Sequence, residues 1–160
     1  MASPVSPLLP LALDEARRVG GSAASDLDAV LGDLEAWVNF DTPSDDVAAL
    51  DAFAEVFAGT LESYGLRSEL VEAGDGGRYV HAVLEGPGHA KVALLCHHDT
   101  VFPSGTAARR PFTREGKRAH GPGVADMKGG IAVAAHAAPL GFGATALRPP
   151  RGCLGAGQGD

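Results

Sequence analysis

Residues 91–105, KVALLCHHDTVFPSG, carry an apolar run that stops abruptly at two histidines and an aspartate. The run Val92 to Cys96 is too short for a helix and too uniform for a half-exposed strand, so it predicts a central strand buried on both faces. His97, His98 and Asp99 then stand at its carboxyl end. In an open α/β sheet that edge is where ligands and catalytic groups collect. Side chains alternate along a strand, which puts His97 and Asp99 on one face and His98 on the other. Asp99 can therefore hold one ring nitrogen of His97 while the other nitrogen is presented to a metal. Taken alone, a His-x-Asp triplet reads more readily as a polar strand end in solvent.

Working back from this strand, RYVHAVLEG (78–86) and LRSELVEA (66–73) alternate and flank GDGG, which predicts a hairpin. Before them, Val47, Leu50, Phe53, Ala54, Phe57, Leu61 and Tyr64 repeat at helical spacing, with Ser44 placed as the cap and Gly65 as the stop. An earlier helix has Ser25 as N-cap and Leu27, Val30, Leu31, Leu34, Trp37 and Val38 on one face. The loop NFDTPSDD joins the two helices. Working forward, PFTREGKRAHG (111–121) predicts a small hairpin turning at Glu115 and Gly116, and GPGVADMKGG leads into a helix beginning near Gly129. Helices and strands in this order predict an α/β layered domain.

The composition narrows the function. At 160 residues, 45% hydrophobic and 21% charged, the chain matches one globular domain. Its 20 acidic residues outnumber 13 basic ones, the net charge is −7, and no Lys/Arg cluster is placed to track phosphates, so nucleic acid is not the expected partner. Cys96 and Cys153 form neither a disulfide framework nor a CxxC metal motif, and a reducing cytoplasm is the expected compartment. Pro7 and Pro10 interrupt the N-terminal apolar patch, which lacks a secretory layout, and no stretch reaches the roughly 20 apolar residues of a membrane span.

A second chemical feature follows the first. In GPGVADMKGG, Asp126 is a hard oxygen donor in a loop that Gly121, Gly123, Gly129 and Gly130 allow to fold tightly. Together HHDTVFP and RRPFTREGKRAHGPGVADMKGG resemble the two metal-site signatures of the co-catalytic zinc hydrolases that include glutamate carboxypeptidase, acetylornithine deacetylase, succinyl-diaminopimelate desuccinylase and aminoacylase. NFDTPSDD, after the first helix, resembles the entry loop of that family. The resemblance runs from about Leu27 to about His136. It implies the N-terminal part of a zinc-peptidase-type α/β/α catalytic domain, without the second half or the lid and dimerisation domain.

By position, the resemblance makes His97 a ligand of one zinc, Asp99 the catalytic-site carboxylate that orients it, and Asp126 the carboxylate bridging two zincs, with cobalt or manganese as alternatives. It also implies a cis peptide after Asp126. The reaction implied is hydrolysis of an amide next to a free carboxylate, in a small peptide or an N-acyl amino acid. Family members are often homodimers. His81, His89, His98, His120 and His136 are read as structural or solvated.

The rest of the family's machinery is not in this sequence. No two glutamates are adjacent, so the general-base and metal-binding Glu pair is missing, and after Asp126 the only acidic residue is Asp160. The organisation expected is therefore a flexible extension over 1–24, part of the catalytic domain over 25–136, and a disordered Gly/Pro-rich tail over 137–160. The abrupt change near His136 suggests a lost reading frame or a truncated gene product, inactive as it stands. The alternative is a non-catalytic metal-binding or interaction module on the same half-fold.

Overall fold

The computed structural model describes residues 27–74, 76–85, 91–143 and 151–157. Ser25, His89 and the extension over 1–24 lie outside them. Helices α1 (Leu27–Val38) and α2 (Val47–Ser63) come first, followed by the hairpin β1 (Arg67–Glu72) and β2 (Arg78–Leu84). Then come β3 (Lys91–His97), a single helical turn α3 (Thr106–Arg109), the small hairpin β4 (Thr113–Glu115) and β5 (Arg118–His120), helix α4 (Gly129–Gly143) and β6 (Arg151–Gly157). The four-stranded sheet has the order β1-β2-β6-β3, with β6 antiparallel to β2 and parallel to β3. No helix among the described residues is long and apolar enough to cross a membrane.

The apolar faces read from the sequence meet one another. Leu34, Trp37 and Val38 of α1, Phe53, Phe57 and Leu61 of α2, Val80 and Ala82 of β2, and Ile131, Ala132 and Ala135 of α4 form one buried cluster. The Trp37 and Phe57 rings meet edge to face with centroids 5.1 Å apart. Burying side chains of this size contributes roughly 1.5–3 kcal/mol each, so α1, α2 and α4 are held on the sheet by packing more than by helix propensity. α2 stops where expected: Tyr64 caps it and Gly65 takes a left-handed φ of 86°.

Four expectations change. The N-cap of α2 is Asp46, whose carboxylate accepts from the Ala49 N–H at 3.0 Å, and not Ser44. β3 is not a central strand buried on both faces: it lies at the edge of the sheet, with Val92 46%, Leu94 38% and Leu95 86% exposed. Its uniform apolar run records a preference for burial that the described residues satisfy on one side only. α4 continues to Gly143 through Pro139, past the boundary set at residue 137. Within the predicted disordered tail, Arg151–Gly157 forms a strand between β2 and β3. Strand pairing uses backbone groups, and two strands with open neighbouring edges can take up a Gly-rich segment whose side-chain pattern specifies no register.

Candidate metal centre

Three connected segments build the cleft at the carboxyl end of β3. The first is the loop between α1 and α2, which runs alongside the chain beyond β3: Thr100 N–H donates to the Thr42 carbonyl at 2.7 Å, and Ser44 N–H donates to the Thr100 carbonyl at 3.0 Å. Pro43 and Thr100 thereby form a parallel bridge. Thr42 Oγ1 adds a 2.7 Å bond to the carbonyl of His98. The Asp41 carboxylate accepts from the N–H groups of Gly105 and Ala107, at 2.6 and 2.9 Å, and so holds the start of α3.

The second segment is β3 with its extension. His97 Nδ1 lies 3.0 Å from Asp99 Oδ1, and the other Asp99 oxygen accepts a 2.5 Å bond from Ser44 Oγ. Asp99 is buried at 5% exposure. His98 points the other way. It is fully buried, its ring 5.1 Å from that of Phe53; the Leu50 backbone acts on the ring, but among the described residues neither ring nitrogen meets a partner at full hydrogen-bond geometry. Burial chiefly drives its pKa down to about 4, with Lys128 and His97 adding to the effect against the charge of Asp99, so the ring is neutral.

The third segment is the turn Val124–Lys128, a wide helical turn whose dihedrals break at Asp126 and Met127; the peptide between those two residues is cis. Gly123 enters it at φ 74°, where a Cβ would stand 2.7 Å from Thr100 Cγ2, so only glycine lets the turn approach the β3 extension this closely. At the far end, Lys128 is 1% exposed, and its ammonium donates to the carbonyls of Trp37 at 2.9 Å and Phe40 at 2.7 Å. Burial lowers its pKa to about 8, opposed by the charge of Asp41. Lysine is seldom buried without such partners, and here it plugs the C-terminal carbonyls of α1.

These segments bring His97 Nε2 within 2.9 Å of Asp126 Oδ1. His97 and Asp126 line an open cleft of about 630 Å³ with Ser44, Asp99 and Thr100. Burial pulls the His97 pKa down, but hydrogen bonds to Asp126 and Asp99, with their charges, outweigh it and hold the imidazole above its usual range. When both ring nitrogens carry protons, Nδ1 donates to Asp99 and Nε2 to Asp126. A metal would take the place of the Nε2 proton. Two tetrahedral ligands each about 2.0–2.2 Å from zinc stand roughly 3.3–3.6 Å apart, so the His97–Asp126 pair, at 2.9 Å, would have to open by about half an ångström to share an ion. Among the described residues no group of three or more His, Cys, Asp or Glu side chains is gathered to hold one. The donors fit part of a metal shell.

The remaining described histidines lie elsewhere. His81 pairs with Glu69 across the β1–β2 hairpin at 2.8 Å, and His120 is 3.9 Å from Glu115 in the β4–β5 hairpin. His136 Nε2 is 2.8 Å from Asp33 Oδ2, and both contact the Tyr64 hydroxyl between the helices. Sequence reasoning missed Ser44 as part of the cleft, and Asp41 and Lys128 as the groups that fasten the surrounding segments. For Ser44 and Asp41 the signals were the resemblance of NFDTPSDD to the family's entry loop and a run of short polar residues, DTPSDD, longer than a helix cap needs.

Residues 93–143 match the sequence model of peptidase family M20/M25/M40, extending past His136, where the motif resemblance stops. Carboxypeptidase G2 of Pseudomonas sp. (strain RS-16) is 33% identical over 124 residues, which cover 74% of this chain and 29% of that protein. Human carnosine dipeptidase 1 superposes with a TM-score of 0.73 at 19% identity, over 88% of this chain and 34% of that one. The M20 family metallo-carboxypeptidase Sso-CP2 of Sulfolobus solfataricus gives 0.67 at 20% identity, over 80% of this chain and 30% of that one. The fold is that of a metallopeptidase catalytic domain in part. By its sequence match and its fold the chain is similar to part of the M20 metallopeptidases, and it spans about a third of the length of these relatives.

Proposed function

We propose that this chain carries one side of the active site of a metal-dependent hydrolase of amide bonds, of carboxypeptidase, deacylase or dipeptidase type. The observation that carries the reading is the line Asp99–His97–Asp126, with contacts of 3.0 and 2.9 Å at the mouth of a single cleft. His97 Nε2 and Asp126 would hold the metal, zinc by preference and cobalt or manganese as alternatives. Asp99 holds Nδ1–H and so keeps Nε2 directed into the cleft. When bound, a metal pair supplies Lewis acidity toward the scissile carbonyl and lowers the pKa of water. The relatives named as a carboxypeptidase and a dipeptidase support small peptides as the substrate class, and the motif resemblance adds N-acyl amino acids. The two separated cysteines support a reducing cytoplasm.

The 160 residues alone are proposed to be inactive. Loss of a general base costs about 10²–10⁴ in rate, and no Glu-Glu pair is present to supply one. A second reading, a non-catalytic metal-binding or interaction module, is favoured by the lack of a third gathered donor among the described residues. The test is hydrolysis of N-acyl amino acids and of peptides with C-terminal glutamate. The chain as given should turn over neither. A coding sequence continued downstream in whichever frame supplies an apolar strand and a Glu-Glu pair should turn over one of them, and lose that activity on His97→Ala or Asp126→Ala. Turnover that survives both substitutions would overturn the reading.

A further inference from the structure

We infer that Ser44 is a positioning residue for the metal ligand His97, acting through Asp99; this rests on the metal-binding reading above. Ser44 was a candidate helix cap, and Asp46 takes that role, which leaves the Ser44 hydroxyl free for another use. Its Oγ lies 2.5 Å from Asp99 Oδ2 and 3.2 Å from the Thr100 carbonyl. A hydroxyl has one proton to give. The bond to a carboxylate is charge-assisted and the shorter of the two, so the proton goes to Asp99.

Asp99 is buried, and an ionised carboxylate can only accept. With Ser44 donating to Oδ2, Oδ1 stays turned toward His97 Nδ1. That contact selects the tautomer with its proton on Nδ1 and leaves the Nε2 lone pair for a ligand bond. The backbone fixes the other end of the line. Ser44 N–H is bonded to Thr100, and Thr42 is bonded to both Thr100 and the His98 carbonyl, so the hydroxyl is delivered by strand-like pairing rather than by a mobile loop. Partners of this kind behind a ligating histidine typically contribute about 10–100-fold in metal affinity.

The test is calorimetric titration of zinc into the whole chain and its variants. Ser44→Ala should weaken zinc by about tenfold. Ser44→Thr, which keeps the hydroxyl, should restore most of the loss, and Ser44→Val, of the same shape without it, should not. In an Asp99→Ala background Ser44→Ala should cost nothing further, because the pathway through the carboxylate is already gone. The Thr/Val pair holds size and backbone preference constant, so a general fold defect cannot produce the difference. Zinc binding unchanged in Ser44→Ala and Ser44→Val overturns this inference and leaves the metal reading standing. An equal loss in the Asp99→Ala background also overturns it. No zinc binding by the unaltered chain overturns both.

Discussion

The Lys128 ammonium donates to the Phe40 carbonyl at 2.7 Å, and through that bond the turn carrying Asp126 is fastened to the end of α1. The same ammonium reaches Trp37, so one buried cation satisfies two carbonyls and sets where the turn leaves the helix layer. Asp126 itself is 86% exposed on its side chain and reaches His97 from the rim of the turn. Its position is therefore decided from behind, by the backbone of the turn.

Lys128→Met keeps most of the side-chain volume and removes the charge. It should lower stability by about 2–3 kcal/mol, since two buried carbonyls lose a charged donor. Urea unfolding of the two proteins at pH 7 measures this. A change within 0.5 kcal/mol, about the scatter of neutral surface substitutions, would show that water replaces the ammonium at no cost.

Stability should fall on acidification through His98. Its folded pKa is about 4, below the value of 6.5 for an unfolded chain, so between these pH values the unfolded chain binds the proton and the folded one does not. The contribution is fully present above pH 6.5 and is lost progressively toward pH 4. The shift corresponds to about 3 kcal/mol. His98→Leu removes this component, and urea midpoints measured from pH 7 to 4 should fall less steeply for the variant. Parallel curves would mean that the ring takes up a proton in place.

Gly123→Ala places a Cβ on a left-handed residue and against the Thr100 methyl. It should cost about 1–3 kcal/mol and loosen the cleft more than the core. Hydrogen exchange would show this as faster exchange at Thr100 and Lys128, whose amides are bonded to the Thr42 and Gly123 carbonyls, with the amides of α2 unchanged.

Leu95, within the edge strand β3, and Val101, just beyond it, are 86% and 90% exposed. Exposed apolar strand edges pair with other chains. The chain should self-associate as its concentration rises, and Leu95→Lys should reduce this in sedimentation velocity runs. A monodisperse monomer at all concentrations would show that the edge is blocked.

What could be read from the sequence divides along physical lines. The periodicities of α1 and α2, the hairpins and the face carrying His97 opposite His98 follow from local rules, because each is set by neighbours within a few residues. The position of β3 is not local. The run from Val92 to Cys96 shows how much burial the strand is suited to, whereas its exposure depends on which segments lie beside it. Arg151–Gly157 was invisible for a related reason: its pairing is carried by backbone groups, and its composition reads as a linker. Ser44 was misassigned because serine before a helix satisfies the capping rule, and only the parallel pairing of residues 42–44 with 98–100 shows that its hydroxyl faces Asp99. Lys128 carried a charge that composition rules place at the surface. Its two carbonyl partners, Trp37 at the end of α1 and Phe40 just beyond it, are 91 and 88 residues away in the chain.

The metal reading also has a pH signature. Binding at His97 Nε2 displaces a proton that Asp126 and Asp99 help to retain. Zinc affinity should weaken as pH falls through the raised His97 pKa, with the loss beginning above pH 6.5. An affinity flat from pH 8 to 6 would place the zinc on other groups.

Zinc titration of the unaltered chain, His97→Ala, Asp126→Ala and His120→Ala by calorimetry is the most direct measurement. Two gathered donors cannot enclose the ion, so the unaltered chain and His120→Ala should bind zinc weakly and alike, while His97→Ala and Asp126→Ala should bind none. Zinc binding that is unchanged in both His97→Ala and Asp126→Ala would contradict the account.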